Sequence, residues 1–160
     1  MIFALIAYAV AMTTANLLVA TFGPSISPLN SFLFIGLDLS LRDWLHVRLK
    51  TWQMGCLILG TGVLTYFLNP AAEMIAIASS VSFLISSIVD WFVFTKTNGS
   101  WLKRANFSNA AGSIVDSMLF PTIAFGVLMP EIIVLQFFAK LSGGFVWSYL
   151  FNKIQRKIND

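Results

Sequence analysis

The sequence predicts an all-α fold, a polytopic membrane protein built as one six-helix transmembrane bundle spanning residues 1–160. Three observations predict it. Hydrophobic residues make up 58 % of the chain and charged residues only 11 %, where a soluble domain carries about a quarter charged. The apolar residues lie in long continuous runs rather than in alternating short segments, which disfavours a strand-built barrel. Lys and Arg gather in every second loop, the pattern that fixes orientation in a bilayer. A chain this apolar cannot cover its core with polar surface, so lipid must solvate most of it. A spanning helix takes roughly 20 residues, which leaves no room for a separate soluble domain.

The first run is residues 2–22. It has no basic leader and no cleavage signal, and reads as a retained helix rather than a signal peptide. Gly23, Pro24 and Pro28 mark a turn. The second run, 29–41, is short for a full crossing. The Pro-containing stretch before it completes it, or the run is tilted or broken. Arg42, Asp43, His46, Arg48 and Lys50 close it. The third run is 52–68. Asn69-Pro70 is a tight turn, with Pro70 suited to the first helical position. The fourth run is 71–94, followed by a polar loop with Asn98-Gly99. The fifth is 104–129. Pro130 breaks the chain and the sixth run is 131–151, ahead of a basic tail.

Arg42, Arg48 and Lys50 follow the second run, Lys96, Lys103 and Arg104 the fourth, and Lys153, Arg156 and Lys157 the sixth. The loops after runs one, three and five hold no Lys or Arg, and Lys140 lies inside the sixth run. This asymmetry requires an even number of crossings and puts both termini in the cytoplasm. It also requires the short second run to cross.

An ionisable side chain in hydrocarbon costs at least ~2.5 kcal/mol, so each needs a partner or a wet cavity. Polar residues recur at helical spacing, on one face of each run. The fourth run carries Ser79, Ser82, Ser86 and Asp90; the fifth Asn106, Asn109, Ser113, Asp116 and Ser117; the sixth Gln136, Lys140, Gly143 and Trp147. The first adds Thr13 and Asn16, and the second ends with Asp38 one turn before Arg42. Asp116 lies ten residues after Asn106, about 15 Å along the helix and near mid-membrane. Lys140 is equally central in its run. The simplest arrangement turns these stripes on one another around a polar pocket, with Asp116 and Lys140 as charge partners. The candidate substrate-binding set is Asn16, Asp38, Asp90, Asn106, Asn109, Asp116, Lys140 and Trp147.

Blander readings stand beside this one. Membrane serines often bond the preceding turn or pack against a neighbouring helix, and the Ser79–Ser86 stripe reads equally that way. Asp90 and Arg104 sit where interfacial anchors or an ion pair would. Glu73 and Glu131 lie in first helical turns, where a carboxylate suits the dipole. The stripe Ala7, Ala11 and Ala15 suits close helix packing, or a docking face for a membrane partner.

Several function classes are disfavoured. There is no GxxxxGK[ST] loop, no metal-ligand spacing, and no Ser–His–Asp set, the single His lying in a charged loop. Neither a cofactor nor catalysis is expected. Cys56, the one cysteine, permits no disulfide within the chain. The basic residues read as anchors rather than a nucleic-acid patch. A compact bundle with a polar interior moves or binds a small solute, or, with stripes that only hold helices together, serves as a scaffold.

Two stretches carry more. Residues 78–94, ASSVSFLISSIVDWFVF, lead to residues 101–126, WLKRANFSNAAGSIVDSMLFPTIAFG. The pattern resembles the queuosine-precursor transporter family, also called the putative vitamin uptake transporters. It is carried by Asp90, Phe94, Trp101, Arg104, Asn106, Ser108, Gly112, Asp116, Ser117 and Phe120. Residues 34–48, FIGLDLSLRDWLHVR, resemble a branch of the same family through Asp38, Leu39, Leu41, Arg42 and Asp43. The resemblance implies a fold similar to the substrate-binding subunits of energy-coupling factor transporters. It implies uptake of a 7-deazaguanine base such as preQ0 or preQ1, the small-molecule substrate, across the inner membrane, and so an integral inner-membrane protein. Beside it stand the alternatives of a chain working alone, as a homo-oligomer, or with an energising membrane partner. A carboxylate such as Asp116 suits the donors of such a ring. Asn16, Asn106 or Asn109 suits its carbonyl, and Trp147, Trp91 or Tyr8 its face.

Overall fold

The structure is a computed structural model that describes residues 2–46, 48–99 and 101–159. Side chains at 42–44, 46, 51, 101, 102, 105, 148 and 151–159 lie outside the described residues. Among those named above, this takes in Arg42, Asp43, His46, Trp101, Lys153, Arg156 and Lys157.

Six helical arms and no strand are found among the described residues. Helix α1 is Ile2–Phe22 and ends at Gly23, whose φ of 73° is accessible to glycine at little cost. The second arm, α2, runs over 24–46 in four joined pieces: Pro24–Ile26, Ser27–Asn30, Ser31–Ile35 and Gly36–His46. The expected run 29–41 is thus extended at both ends. Pro24 and Pro28 sit in first turns, where their missing N–H costs nothing. At about 1.5 Å per residue, 24–46 is long enough to cross. Helix α3 is Thr51–Leu68, opened by Lys50 N–H donating to Gln53 Oε1 at 2.8 Å. Asn69 Oδ1 accepts from Ala71 N–H at 3.1 Å and turns the chain through Pro70–Ala72 into α4, Glu73–Lys96. Helix α5 is Trp101–Phe125, and α6 is Pro130–Asn159.

The α1 and 70–96 helices are long and apolar enough to cross a membrane, and 52–68 is a shorter apolar helix. Buried polar groups stand on these arms as well as on the others, Asn16, Thr65 and Ser79 among them. Around the outside, bulky apolar side chains stand exposed on every arm, Phe3, Leu29, Phe67, Ile88, Met118 and Phe145 among them. A folded soluble chain does not leave such a belt in water.

Helices α4 and α5 pair along most of their length, and α2 packs along α6. An apolar cluster of Tyr8, Met12, Ile35, Leu45, Ile58 and Phe83 joins α1, α2, α3 and α4. Between lipid-solvated helices the hydrophobic effect gives no net drive, so close packing and hydrogen bonds must hold them. The two main pairs meet through glycine. A Cβ on Gly143 would collide with the Phe32 carbonyl, and one on Gly36 with the Gly143 backbone. A Cβ on Gly112 would press on the Ser86 carbonyl and the Asp90 Cβ.

Residues Ser31–Ile35 form a π turn, with Gly36 N–H donating to the Ser31 carbonyl five residues back. The widened turn lies against α6 and is clasped there. Trp147 Nε1–H donates to the Leu33 carbonyl at 2.9 Å, and Ser40 Oγ donates to the Gly144 carbonyl at 3.2 Å.

Gly143→Ala is expected to lower the unfolding midpoint of the detergent-solubilised protein by about 3–10 °C, from an overpacking cost of ~1–3 kcal/mol. Gly60→Ala, where a Cβ meets nothing, is expected to leave the midpoint unchanged or raise it.

Candidate functional site

Lys140 is 2 % exposed and Asp116 5 %, so neither charge is served by solvent. The Lys140 ammonium donates to Asp116 Oδ2 at 2.6 Å, to Ser117 Oγ at 3.0 Å and to Gln136 Oε1 at 3.2 Å. An ammonium has three donors, and all three are used. Asp116 and Ser117 are neighbours on α5. Gln136 lies one turn before Lys140 on α6, so the fourfold spacing delivers both side chains to one spot. Pro121 lies four residues after Ser117 and offers no N–H to its carbonyl, which loosens the α5 ladder beside the pair.

Three bonds on the ammonium leave other atoms idle. Asp116 Oδ1 and Gln136 Nε2 are buried and have no partner. Both residues line a cavity of ≈ 20 Å³ next to the ion pair. Across it stands the first part of α2. Asn30 Nδ2 donates to the Ala15 carbonyl at 3.0 Å, which leaves Asn30 Oδ1 unpartnered, and Ser27 Oγ is unpartnered too. Phe83 and Phe120 supply flat apolar walls. The chamber therefore offers two bare acceptors, one amide donor and one hydroxyl, between aromatic rings. Unmet polar atoms in such a place are costly, at ~1–3 kcal/mol each. A space of ≈ 20 Å³ admits about one water, so a planar solute fits only if the walls part.

The other sequence candidates fall in several places. Asn16 lines the same cavity, and its Nδ2 donates to Thr65 Oγ1 at 3.2 Å, which ties α1 to α3. Asp38 is fully buried on α2, outside the cavity lining. Asp90 lies about one turn toward the basic loops from Ser86 and has a buried, unpartnered Oδ1. Asn106 is exposed and Asn109 half-buried, and neither lines the cavity. Trp147 ties α6 to the π turn, and Arg104 donates to the Phe94 carbonyl at 3.0 Å with its guanidinium over the Phe94 ring. Structure therefore brings together Asn16, Asp116 and Lys140 from that set, and leaves the others apart from them.

Ser27, Asn30 and Gln136 join the site without having been singled out as binding residues. Gln136 was signalled by its place on the Lys140 stripe. Ser27 and Asn30 carried a fainter signal, as polar residues at the mouth of a run otherwise too short to cross.

A family model described as "Putative vitamin uptake transporter" matches residues 1–152. No curated protein and no solved structure matches the chain.

Lys140→Met strands the Asp116 carboxylate in a dry interior. The variant is expected to lose about 3–5 kcal/mol of stability, read by denaturant unfolding in detergent. Combining it with Asp116→Leu removes the second charge and is expected to restore most of that loss. A double variant as unstable as Lys140→Met would mean that the two charges do not compensate one another.

Proposed function

The chain belongs to the putative vitamin uptake transporter family, and from that premise we propose that it carries a 7-deazaguanine base, such as preQ0 or preQ1, inward across the cytoplasmic membrane. The observation that carries this reading is the set of unmet polar atoms around the cavity. One edge of a deazaguanine ring holds a ring N–H and an exocyclic amino group beside a carbonyl. Asp116 Oδ1 and Asn30 Oδ1 suit the two donors, and Gln136 Nε2 suits the carbonyl. Phe83 and Phe120 suit the faces of the ring. Each bond to the base would relieve an atom that is otherwise buried without a partner.

Lys140 has a different part in this reading. It lines the cavity, but its three donors are already taken. By bonding Asp116 Oδ2 and Gln136 Oε1, it leaves Asp116 Oδ1 and Gln136 Nε2 for the solute. The cavity lies toward the ends of the helices that lack Lys and Arg, near Ser27 and Asn30. With the basic loops in the cytoplasm, that is the outer half, where an importer collects its solute.

A chain that works alone is favoured over one that docks an energising partner on Ala7, Ala11 and Ala15. Ala11 and Ala15 are buried among the chain's own helices.

The test is binding to purified protein. PreQ0, preQ1 or queuine is expected to raise the unfolding midpoint of the native chain. Gln136→Leu is expected to weaken binding by about tenfold, the worth of one buried hydrogen bond of ~1.4 kcal/mol. Asp116→Ala is expected to abolish uptake in cells lacking their own salvage route. No stabilisation by any of the three, or undiminished uptake in Asp116→Ala, would reject the assignment.

A further inference from the structure

The ion pair has a second hollow on its other side. A cavity of ≈ 10 Å³ is bounded by Leu39, Ser86, Gly112 and Ser113, and shares Ile35, Phe83, Asp116 and Lys140 with the first. The displacement between the two is the same on every helix that lines both. On α2 the lining moves from Ser31 to Leu39, on α4 from Ser79 to Ser86, and on α5 from Phe120 to Ser113. Each step is toward the end of the helix that meets a basic loop. Helix α6 contributes Gln136 and Lys140 to the first cavity and Lys140 alone to the second. The two hollows are thus stacked along the bundle axis, with the ion pair and the Ile35 and Phe83 side chains as the partition.

The second hollow has its own idle polar group. Ser113 is 3 % exposed and its Oγ has no partner. On the facing helix α4, one turn beyond Ser86, Asp90 Oδ1 is also buried and unpartnered, beside Gly112. Ser113 thus lies about 4.5 Å along α5 from Asp116 toward the basic loops, and Asp90, packed against the neighbouring Gly112, stands at the far edge of the second hollow. A pure helix-packing role gives no reason for polar atoms to continue unmet below the ion pair. A binding protein with one outward site and no passage gives none either.

We propose that the second hollow, which at ≈ 10 Å³ takes a solute only once its walls part, is a release-side subsite for the same solute, and that the Asp116–Lys140 pair is the gate between the two subsites. This rests on the reading of the first cavity as a solute site, whatever the solute. A small planar molecule with hydrogen-bond donors leaves Asp116 Oδ1 for Ser113 Oγ and Asp90 Oδ1 when the ammonium swings off Asp116. The path runs through one chain, among α2, α4, α5 and α6, with α1 lining the first hollow through Ala15 and Asn16 and α3 among the lining of neither.

The test is cysteine accessibility in the full chain in membranes, with Cys56→Ser as background. A charged, membrane-impermeant methanethiosulfonate is applied from either face. Leu128→Cys and Lys96→Cys, both at exposed positions, identify the two faces. Asn30→Cys is expected to react from the Leu128 face, and Ser113→Cys only from the Lys96 face. Adding Asp116→Asn and Lys140→Gln, which removes both charges and keeps hydrogen-bonding groups, is expected to raise the reaction of Ser113→Cys from the Leu128 face at least tenfold. Reactive Asn30→Cys with silent Ser113→Cys would overturn the second subsite and leave the first standing. Silence at both would overturn both. Ser113→Cys reacting from the Leu128 face with the ion pair intact would overturn the gate. The two-sided labelling in the native ion-pair background decides the matter even if the doubly neutral variant does not fold.

Discussion

A single ammonium in the middle of the bundle sets the terms for the rest of the structure. Lys140 cannot be charged in hydrocarbon without partners, and it draws all three from a small patch of α5 and its own helix. That demand fixes the register of α5 against α6. It also divides the polar atoms of Asp116 and Gln136 into those spent on the ammonium and those left facing the cavity. A buried ion pair is weak support for stability, because desolvation cancels much of the attraction. Its place at mid-membrane is better understood through what it holds in place: a carboxylate oxygen and an amide N–H₂ of two cavity-lining residues, with no other claim on them.

The irregular second arm supplies the opposite wall. A regular helix starting near residue 29 would be short for the membrane and would not include Ser27. The extension through Pro24–Ile26 and Ser27–Asn30, followed by the π turn, gains the length and brings Ser27 and Asn30 into position. Irregular backbone at membrane depth must find partners within the protein. Here the Leu33 carbonyl accepts from Trp147, and Gly143 lets α6 lie directly against the Phe32 carbonyl.

Much of this was legible in the sequence, and the reason differs from element to element. The alternation of basic and uncharged loops required an even number of crossings, and so required the short second run to count. The central positions of Asp116 and Lys140 made them natural partners, because two isolated charges at that depth would each be costly. Helical periodicity alone could not say which polar stripe faces which. Asn106 and Asn109 share a stripe with Asp116, yet they lie closer to the basic end of α5, beyond the reach of the cavity. Trp147 shares a stripe with Lys140 but is taken by the π turn, and a π turn depends on packing across to another helix. Asn30 required knowing that its amide N–H₂ is spent on Ala15, fifteen residues earlier.

The most direct measurement of the central claim is magnetic-resonance transfer between the side-chain nitrogen of Lys140 and the carboxylate carbon of Asp116, in lipid bilayers. The lysine signal is assigned by its loss in Lys140→Met. With the ammonium 2.6 Å from Asp116 Oδ2, strong short-range transfer is expected, together with a nitrogen shift characteristic of a charged ammonium. No transfer between the two, or a signal in contact with lipid chains instead of Asp116, would contradict the account.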